Sequence, residues 1–429
     1  MTAAIASSLT FLISLWLIFS EKLNRTIVAL AGAAVMVGLG KLFGFYAEPQ
    51  AIAAIDFNTL GLLLGMMILV ALLEPTGFFQ YLAVWAGRMS SGHPLRLLVL
   101  LGSITTVLSM FLDNVTTVVL IAPVTILISE ILGVSPVPYL MAEALLSNTG
   151  GVATLIGDPP NVLIASAAGF SFNDFLTHTL PVVAVAWVVA LLLLAYLFRG
   201  ELRVEPPNAG AVRELNPIET LNDWKTARRV LVVLGLAILL FFLHSELNLT
   251  PAFVALSAAA AALVLVRPPV QKTLQQIEWS VLVFFSALFV MVGGLEAAGV
   301  LRALIAILDR AADVPPVLFG IVLIWLVALL SAVVDNVPIT IALIPIIEGL
   351  GRAGMEMTPL WWALAFGAGF GGNGTLIGST ANIVVASLSE RTRTPLTPAI
   401  WNKNGLPVMI ATCTIASILY GLAYPLFSH

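Results

Sequence analysis

Residues 109–123 read SMFLDNVTTVVLIAP, and residues 331–345 read SAVVDNVPITIALIP. Ser109, Asp113, Asn114, Val115 and Pro123 return 222 positions later as Ser331, Asp335, Asn336, Val337 and Pro345. Each phrase leads into a glycine-rich break, GGVATLIGDPPN at 150–161 and GGNGTLIGSTAN at 371–382. Here the offset is 221, and Gly150, Gly151, Thr154, Leu155, Ile156, Gly157 and Asn161 all recur. A carboxylate beside an amide within apolar sequence, used twice, marks the place where chemistry is expected.

The surrounding composition sets the class. The chain of 429 residues is 60% hydrophobic and 10% charged, with a mean hydropathy of +1.05, which rules out a soluble enzyme with a single core. Its long charge-poor stretches can cross a hydrocarbon layer of about 30 Å. The reading is an all-α polytopic membrane protein. Cys413 is the one cysteine, so neither an internal disulfide nor a thiolate metal cluster can form. The four histidines make no ligand pattern and the glycine runs lack the GxxxxGK[ST] of a phosphate loop. No metal, cofactor or nucleic-acid partner is expected. Residues 3–20 lack a basic leader and read as a retained span.

Outward from the repeated phrases, the first half gives spans near 4–20, 25–45 and 58–74 and a short amphipathic helix over 77–89. An interrupted stretch over 94–132, a span over 138–169 broken at 148–161, and a span over 179–198 follow. The second half repeats the order with spans near 230–245, 251–266 and 279–296, a short helix over 300–313, and interrupted stretches over 315–350 and 358–389. A last span covers 405–427. Ile55-Asp56-Phe57 against Ile277-Glu278-Trp279, and Leu73-Glu74 against Leu295-Glu296, keep the same register. The division is a first repeat at 1–198, a charged cytoplasmic linker at 199–229 and a second, inverted repeat at 230–429.

Loop charge decides whether the Asp113 and Asp335 stretches cross or turn back. If both are re-entrant hairpins, each half crosses five times and the second half is inverted. With the linker inside, 15 of the 19 lysines and arginines share its side; Lys41, Arg302, Arg310 and Arg352 do not. That asymmetry satisfies the positive-inside rule. The fold expected is an inverted-repeat transporter with about ten transmembrane helices, two opposed re-entrant hairpins, two discontinuous helices and both termini outside.

Broken helices at membrane depth are tolerated where they are buried in protein or line a cavity, and matching breaks in two halves point to a transporter's midplane site. Four half-helix N-termini, each carrying roughly half a positive charge, would meet beside Asp113 and Asp335. A carboxylate at the bilayer centre costs about 2.5–3.5 kcal/mol on insertion scales, which favours a functional reading of both. The plainer reading is helix capping, for which Asp, Asn, Ser and Thr are the standard residues. It holds equal weight for the amides and hydroxyls. Asp158 has no twin, since Asp158-Pro159-Pro160 becomes Ser379-Thr380-Ala381; it is either a third proton-carrying acid or a local cap. Glu130, Glu143 and Glu348 read as interfacial residues near helix ends.

DNVTTVVLIAPVTI followed by GGVATLIGDPPN closely resembles the arsenite permease and P-protein branch of the ion-transporter superfamily. That superfamily also holds NhaD-type sodium/proton antiporters and dicarboxylate and citrate carriers. The resemblance implies a scaffold of early spans, a mobile unit of hairpins and broken spans, a homodimer through the scaffold, and an elevator movement. Its hairpin-tip motif falls on Asp113, Asn114, Thr116 and Thr117, and on Asp335, Asn336 and Thr340. Its break falls on Gly151, Thr154, Gly157, Asp158 and Asn161, and on Gly372, Asn373, Thr375, Gly378 and Asn382. Dicarboxylate carriers resemble Ser-Asn-Thr at these tips, so Asp-Asn at both counts against an anion.

Helix ends alone would favour an anion; the two acids cancel much of that field. The function expected is export of arsenite or antimonite as the neutral trihydroxide across the inner membrane, against protons entering through Asp113 and Asp335, with Asp158 as a third carrier. With one cysteine, oxygen and amide contacts would have to hold the arsenic. The alternatives are an NhaD-like sodium/proton antiporter using the same acids, and an anion transporter or passive channel of the same superfamily. A cytoplasmic arsenite-stimulated ATPase is the partner for which the 199–229 linker leaves room.

Overall fold

The computed structural model describes residues 2–19, 23–300 and 315–428, and every regular element among them is a helix. The first half runs α1 (Thr2–Phe19), α2 (Arg25–Phe43), α3 (Glu48–Ala53), α4 (Phe57–Leu73), α5 (Phe78–Ser90), α6 (Pro94–Ser109), α7 (Asn114–Leu132), α8 (Val137–Gly151), α9 (Pro159–Ala168) and α10 (Phe172–Leu197). After α11 (Arg199–Leu202) the second half runs α12 (Trp224–Leu243), α13 (Pro251–Val266), α14 (Val270–Gln275), α15 (Trp279–Ala297), α16 (Pro316–Val333), α17 (Asn336–Arg352), α18 (Thr358–Gly371), α19 (Thr380–Ser389) and α20 (Pro398–Leu422). The short helix expected over 300–313 lies, apart from Val300, outside the described residues, and so do Arg302, Arg310 and Lys22.

Element by element the halves match. Shifting α2, α4, α6, α7 and α9 by 222 or 221 positions lands on α13, α15, α16, α17 and α19. Even the short surface helix α3, which the hydropathy pattern does not reveal, has its twin in α14. Local chemistry sets the ends: Asn24, Asp56 and Thr250 accept hydrogen bonds from first-turn amides of α2, α4 and α13. α12 begins at Trp224, so Lys225, Arg228 and Arg229 form its first turns, with Asp223 as the cap.

Packing obeys the same exchange. α2 lies on α15 and α4 on α13; α6 lies on α8 and α16 on α18. α9 packs against α17 and α19 against α7, so each half's second half-helix touches the other half's hairpin. α10 and α20 pack on one another. Interchanging the halves leaves this pattern unchanged, which is what a two-fold relation requires.

Among the described residues, eight helices are long and apolar enough to cross a membrane: α2, α4, α7, α10, α12, α15, α16 and α20. The apolar helices α1, α6, α13 and α19 are shorter. Turns of a few residues join α6 to α7 and α16 to α17, as in an αα-hairpin. Pro123 within α7 and Pro345 within α17 each remove a backbone donor. α8 is buried along its whole length and α18 from Pro359 onward, so the broken spans run through the centre of the protein.

Candidate functional site

At the first hairpin tip Asp113 caps α7. Its carboxylate accepts from Val115 N at 2.9 Å and Thr116 N at 3.0 Å, and from the Thr116 hydroxyl. The second tip is different. Asp335 takes only a long cap bond from Val337 N, at 3.4 Å, and spends Oδ2 on Thr380 Oγ1 at 2.6 Å and Arg25 Nη1 at 2.9 Å. The repeated acids therefore share a position but not a set of partners. Asp158 makes no cap bond to α9. Its Oδ2 accepts from Asn336 Nδ2 at 2.8 Å, and both residues are buried.

Behind the tips the breaks are tied identically in both halves. Asn161 Nδ2 donates to the carbonyls of Gly151 (3.0 Å) and Thr154 (2.8 Å). Asn382 Nδ2 donates to those of Gly372 (2.7 Å) and Thr375 (2.9 Å). Thr154 and Thr375 hydroxyls donate to Met110 O and Ala332 O, fastening each break to its hairpin. Glycine is required because backbones meet here. A Cβ on Gly157 would lie 2.6 Å from both Gly151 O and Ser109 O.

Asn148 joins the two halves. Its Oδ1 accepts from Asn114 Nδ2 and Ser379 Oγ, each at 3.0 Å. Its Nδ2 donates to Asn373 Oδ1 at 3.1 Å and Asn382 Oδ1 at 3.0 Å. All four hydrogen-bonding positions of the amide are filled. Asn373 in turn donates to Thr149 Oγ1 at 3.2 Å.

A cavity of about 60 Å³ is lined by Asp113, Asn114, Asp158, Asp335, Asn336 and Thr380, together with Arg25 and Glu278. Asp113 also borders an adjoining cavity of about 310 Å³, along with Thr116, Glu74, Gln276 and Glu278 and many apolar side chains. Thr117, Thr154, Asn161, Thr340, Asn373 and Asn382 are buried and line neither cavity; the buried Gly151 and Gly372 and the half-buried Thr375 also line neither. Thr117 and Thr340 donate to the carbonyls of Asp113 (3.0 Å) and Asn336 (2.8 Å). The expected residues thus separate into a cavity-lining set and a supporting layer.

Three residues escaped the reading of the sequence. Asn148 has no twin, because Gly369 stands in its place; its signal is the polar run Ser147-Asn148-Thr149 directly before the glycine pair. Arg25 counted only as a loop charge. Glu278 served only to fix register with Asp56. Asp56 caps α4, whereas Glu278 makes no cap bond to α15 and borders the cavities. One expectation is corrected: Glu143 is not interfacial. It lies mid-way along α8 with no exposed surface, accepting from the Thr125 hydroxyl while Oε2 has no partner. α8 lies wholly inside the protein, so its middle is remote from water.

Two helix-turn-helix tips and two broken spans converging on an acid-lined cavity define a polytopic membrane transporter. Residues 15–367 match the family described as CitMHS, citrate transporter, and the chain belongs to that family. It is similar to the "46 kDa membrane protein" of Mycobacterium leprae, 38% identical over 424 residues, covering 97% of this chain and 98% of that protein. The human P protein is 33% identical over 496 residues, covering 96% of this chain but 58% of that protein. A Synechocystis protein named as an uncharacterized transporter, slr0753, is 33% identical over 425 residues, covering 94% of this chain and 93% of that one. Among solved structures, the Alcanivorax borkumensis YdaH transporter superposes with a TM-score of 0.65, at 16% identity, over 97% of this chain and 98% of that one. At that identity the likeness speaks for the fold alone.

Proposed function

We propose that this transporter exports arsenite or antimonite as the neutral trihydroxide, in exchange for protons that enter through Asp113 and Asp335 with Asp158 as a third carrier. The observation that carries this reading is the charge of the central cavity: Asp113, Asp158, Asp335 and Glu278 border it against one arginine, Arg25. Helix N-termini favour anions; the acids that line the cavity oppose that field and disfavour a polyanion such as citrate. A small uncharged solute rich in hydroxyls can exchange hydrogen bonds with Asn114, Thr116 and Asn336. Thr117, Gly151, Thr154, Asn161, Thr340, Gly372, Asn373, Thr375 and Asn382 then hold the site's shape.

In this reading the chain divides into repeats at 1–198 and 230–429 around a cytoplasmic linker at 199–229, within the inner membrane and with both termini outside. Glu74, Gln276 and Glu278 then lie at cytoplasmic helix ends, so the larger cavity opens inward. The early spans of each half form a scaffold and a homodimer interface, past which the hairpins and broken spans move as an elevator. A cytoplasmic arsenite-stimulated ATPase would dock on the linker.

Expression in an arsenite-sensitive, efflux-deficient cell tests the cargo: resistance is expected, and unaltered sensitivity with the protein present in the membrane counts against it. The same carboxylates also favour a second reading, sodium/proton antiport. A sodium-induced fluorescence change in everted vesicles without arsenite transport would select it. Saturable, pH-coupled flux would set aside a passive anion channel.

A further inference from the structure

Arg25 occupies an unfavourable place. It is the first residue of α2, where the positive end of the helix dipole opposes a cation, and its twin position holds Leu247. The guanidinium lies 5.5 Å from the centre of the Phe284 ring on α15, and the neighbouring Thr26 hydroxyl donates to Ser280 O at 3.1 Å. α2 and α15 thus hold Arg25 from the scaffold side. It points across to the second hairpin, donating to Asp335 Oδ2 at 2.9 Å and Thr380 Oγ1 at 3.1 Å. Arg25, Asp335 and Thr380 border both the central cavity and a separate one of about 250 Å³ beside Pro338 and Ile383. The pair stands between two cavities, with side chains 38% and 22% exposed, open enough to exchange partners.

We propose that Arg25 is the internal counter-ion of the transport site, occupying Asp335 whenever that acid holds neither proton nor cargo, and pinning the empty hairpin to the scaffold. This rests on the reading of Asp335 as a proton-coupling acid. The charged groups around Asp335 are Arg25, Asp113, Asp158 and Glu278, so Arg25 is the one cation available to it there among the described residues. An exchanger stays coupled only if its empty, deprotonated form does not return across the membrane. A bridge made by one conformation and one protonation state of Asp335 supplies that bias. Binding of a proton removes the carboxylate charge and frees Arg25; cargo bound at Asn336 and donating a hydroxyl to the adjacent Asp335 displaces it.

The test is proton leak into proteoliposomes under a pH gradient with no cargo present, read with an internal pH dye. The wild-type protein is expected to leak no more than protein-free vesicles. Arg25→Gln is expected to leak about tenfold more, the factor given by about 1.4 kcal/mol of lost bias, while Arg25→Lys stays tight. Arg25→Cys supplies the second variant. Its leak is expected to close when a cationic thiol reagent restores the charge and to persist after a neutral one, and that recovery also demonstrates a folded chain. Cys413, the native cysteine, is buried. Arg25→Gln as tight as wild type, or equal closure by both reagents, overturns the proposal. No arsenic enters this assay, so a wrong cargo would leave its outcome unchanged.

Discussion

Asn336 Nδ2 donates to Asp158 Oδ2 at 2.8 Å, joining groups 178 positions apart in the chain. One belongs to the tip of the second hairpin and the other to the break of the first half. The bond is where the two halves become one site, and it leaves Asp158 with a single side-chain donor. An intramolecular hydrogen bond contributes about 0.5–1.5 kcal/mol net, and stranding its buried partner costs about 1–3 kcal/mol. Asn336→Ala is expected to lower the thermal unfolding midpoint of the purified transporter, and adding Asp158→Ala to recover part of the loss. Equal midpoints for wild type and Asn336→Ala would show that Asp158 does not depend on this amide.

Asn148 is expected to tolerate no replacement that loses its four partners. Asn148→Ala strands Asn114, Ser379, Asn373 and Asn382 together, and each buried unsatisfied group costs about 1–3 kcal/mol. Both thermal stability and transport should fall, more than for Asn114→Ala, which vacates one bond. Comparison of unfolding midpoints in detergent decides the order.

Asn161 and Asn382 hold equivalent carbonyls, so Asn161→Ala and Asn382→Ala are expected to lower stability while leaving the apparent affinity for cargo nearly unaltered in whatever protein remains folded. The loss should be larger for Asn382, which also accepts from Asn148. A changed affinity at full stability would move these residues from the supporting layer into the binding set.

Gly157→Ala places a methyl group against two carbonyl oxygens of the backbone, which cannot move aside as a side chain can. Loss of transport with reduced yield is expected. Gly200, where an added Cβ would meet nothing within 4 Å, is the control, and Gly200→Ala should behave as wild type in the same uptake assay.

Repetition made much of this fold legible. Asp113 and Asp335, the glycine breaks, and Asn161 and Asn382 were visible because each occurs twice at a fixed offset, and a two-fold packing arrangement needs its contacts twice. What breaks the symmetry was hidden for the same reason. The position equivalent to Asn148 in the other half is a glycine, and that equivalent to Arg25 is a leucine. The Asp56 and Glu278 pair looks equivalent in sequence, but one acid caps a helix and the other turns toward the cavity. Glu143 was misplaced because hydropathy locates a span without saying whether lipid or protein surrounds it. Which candidate residues line the cavity and which support it is likewise decided by helix packing, through the contact of α9 with α17 and of α19 with α7.

In the proposed mechanism the twin acids at the hairpin tips, Asp113 and Asp335, carry the protons that drive export. Proton-driven arsenite accumulation in everted membrane vesicles measures it directly, comparing the native chain with the Asp113→Asn, Asp335→Asn double variant at matched protein levels. Accumulation driven by the pH gradient is expected to be abolished in the variant. Accumulation at the native level, with the native dependence on the gradient, would contradict it.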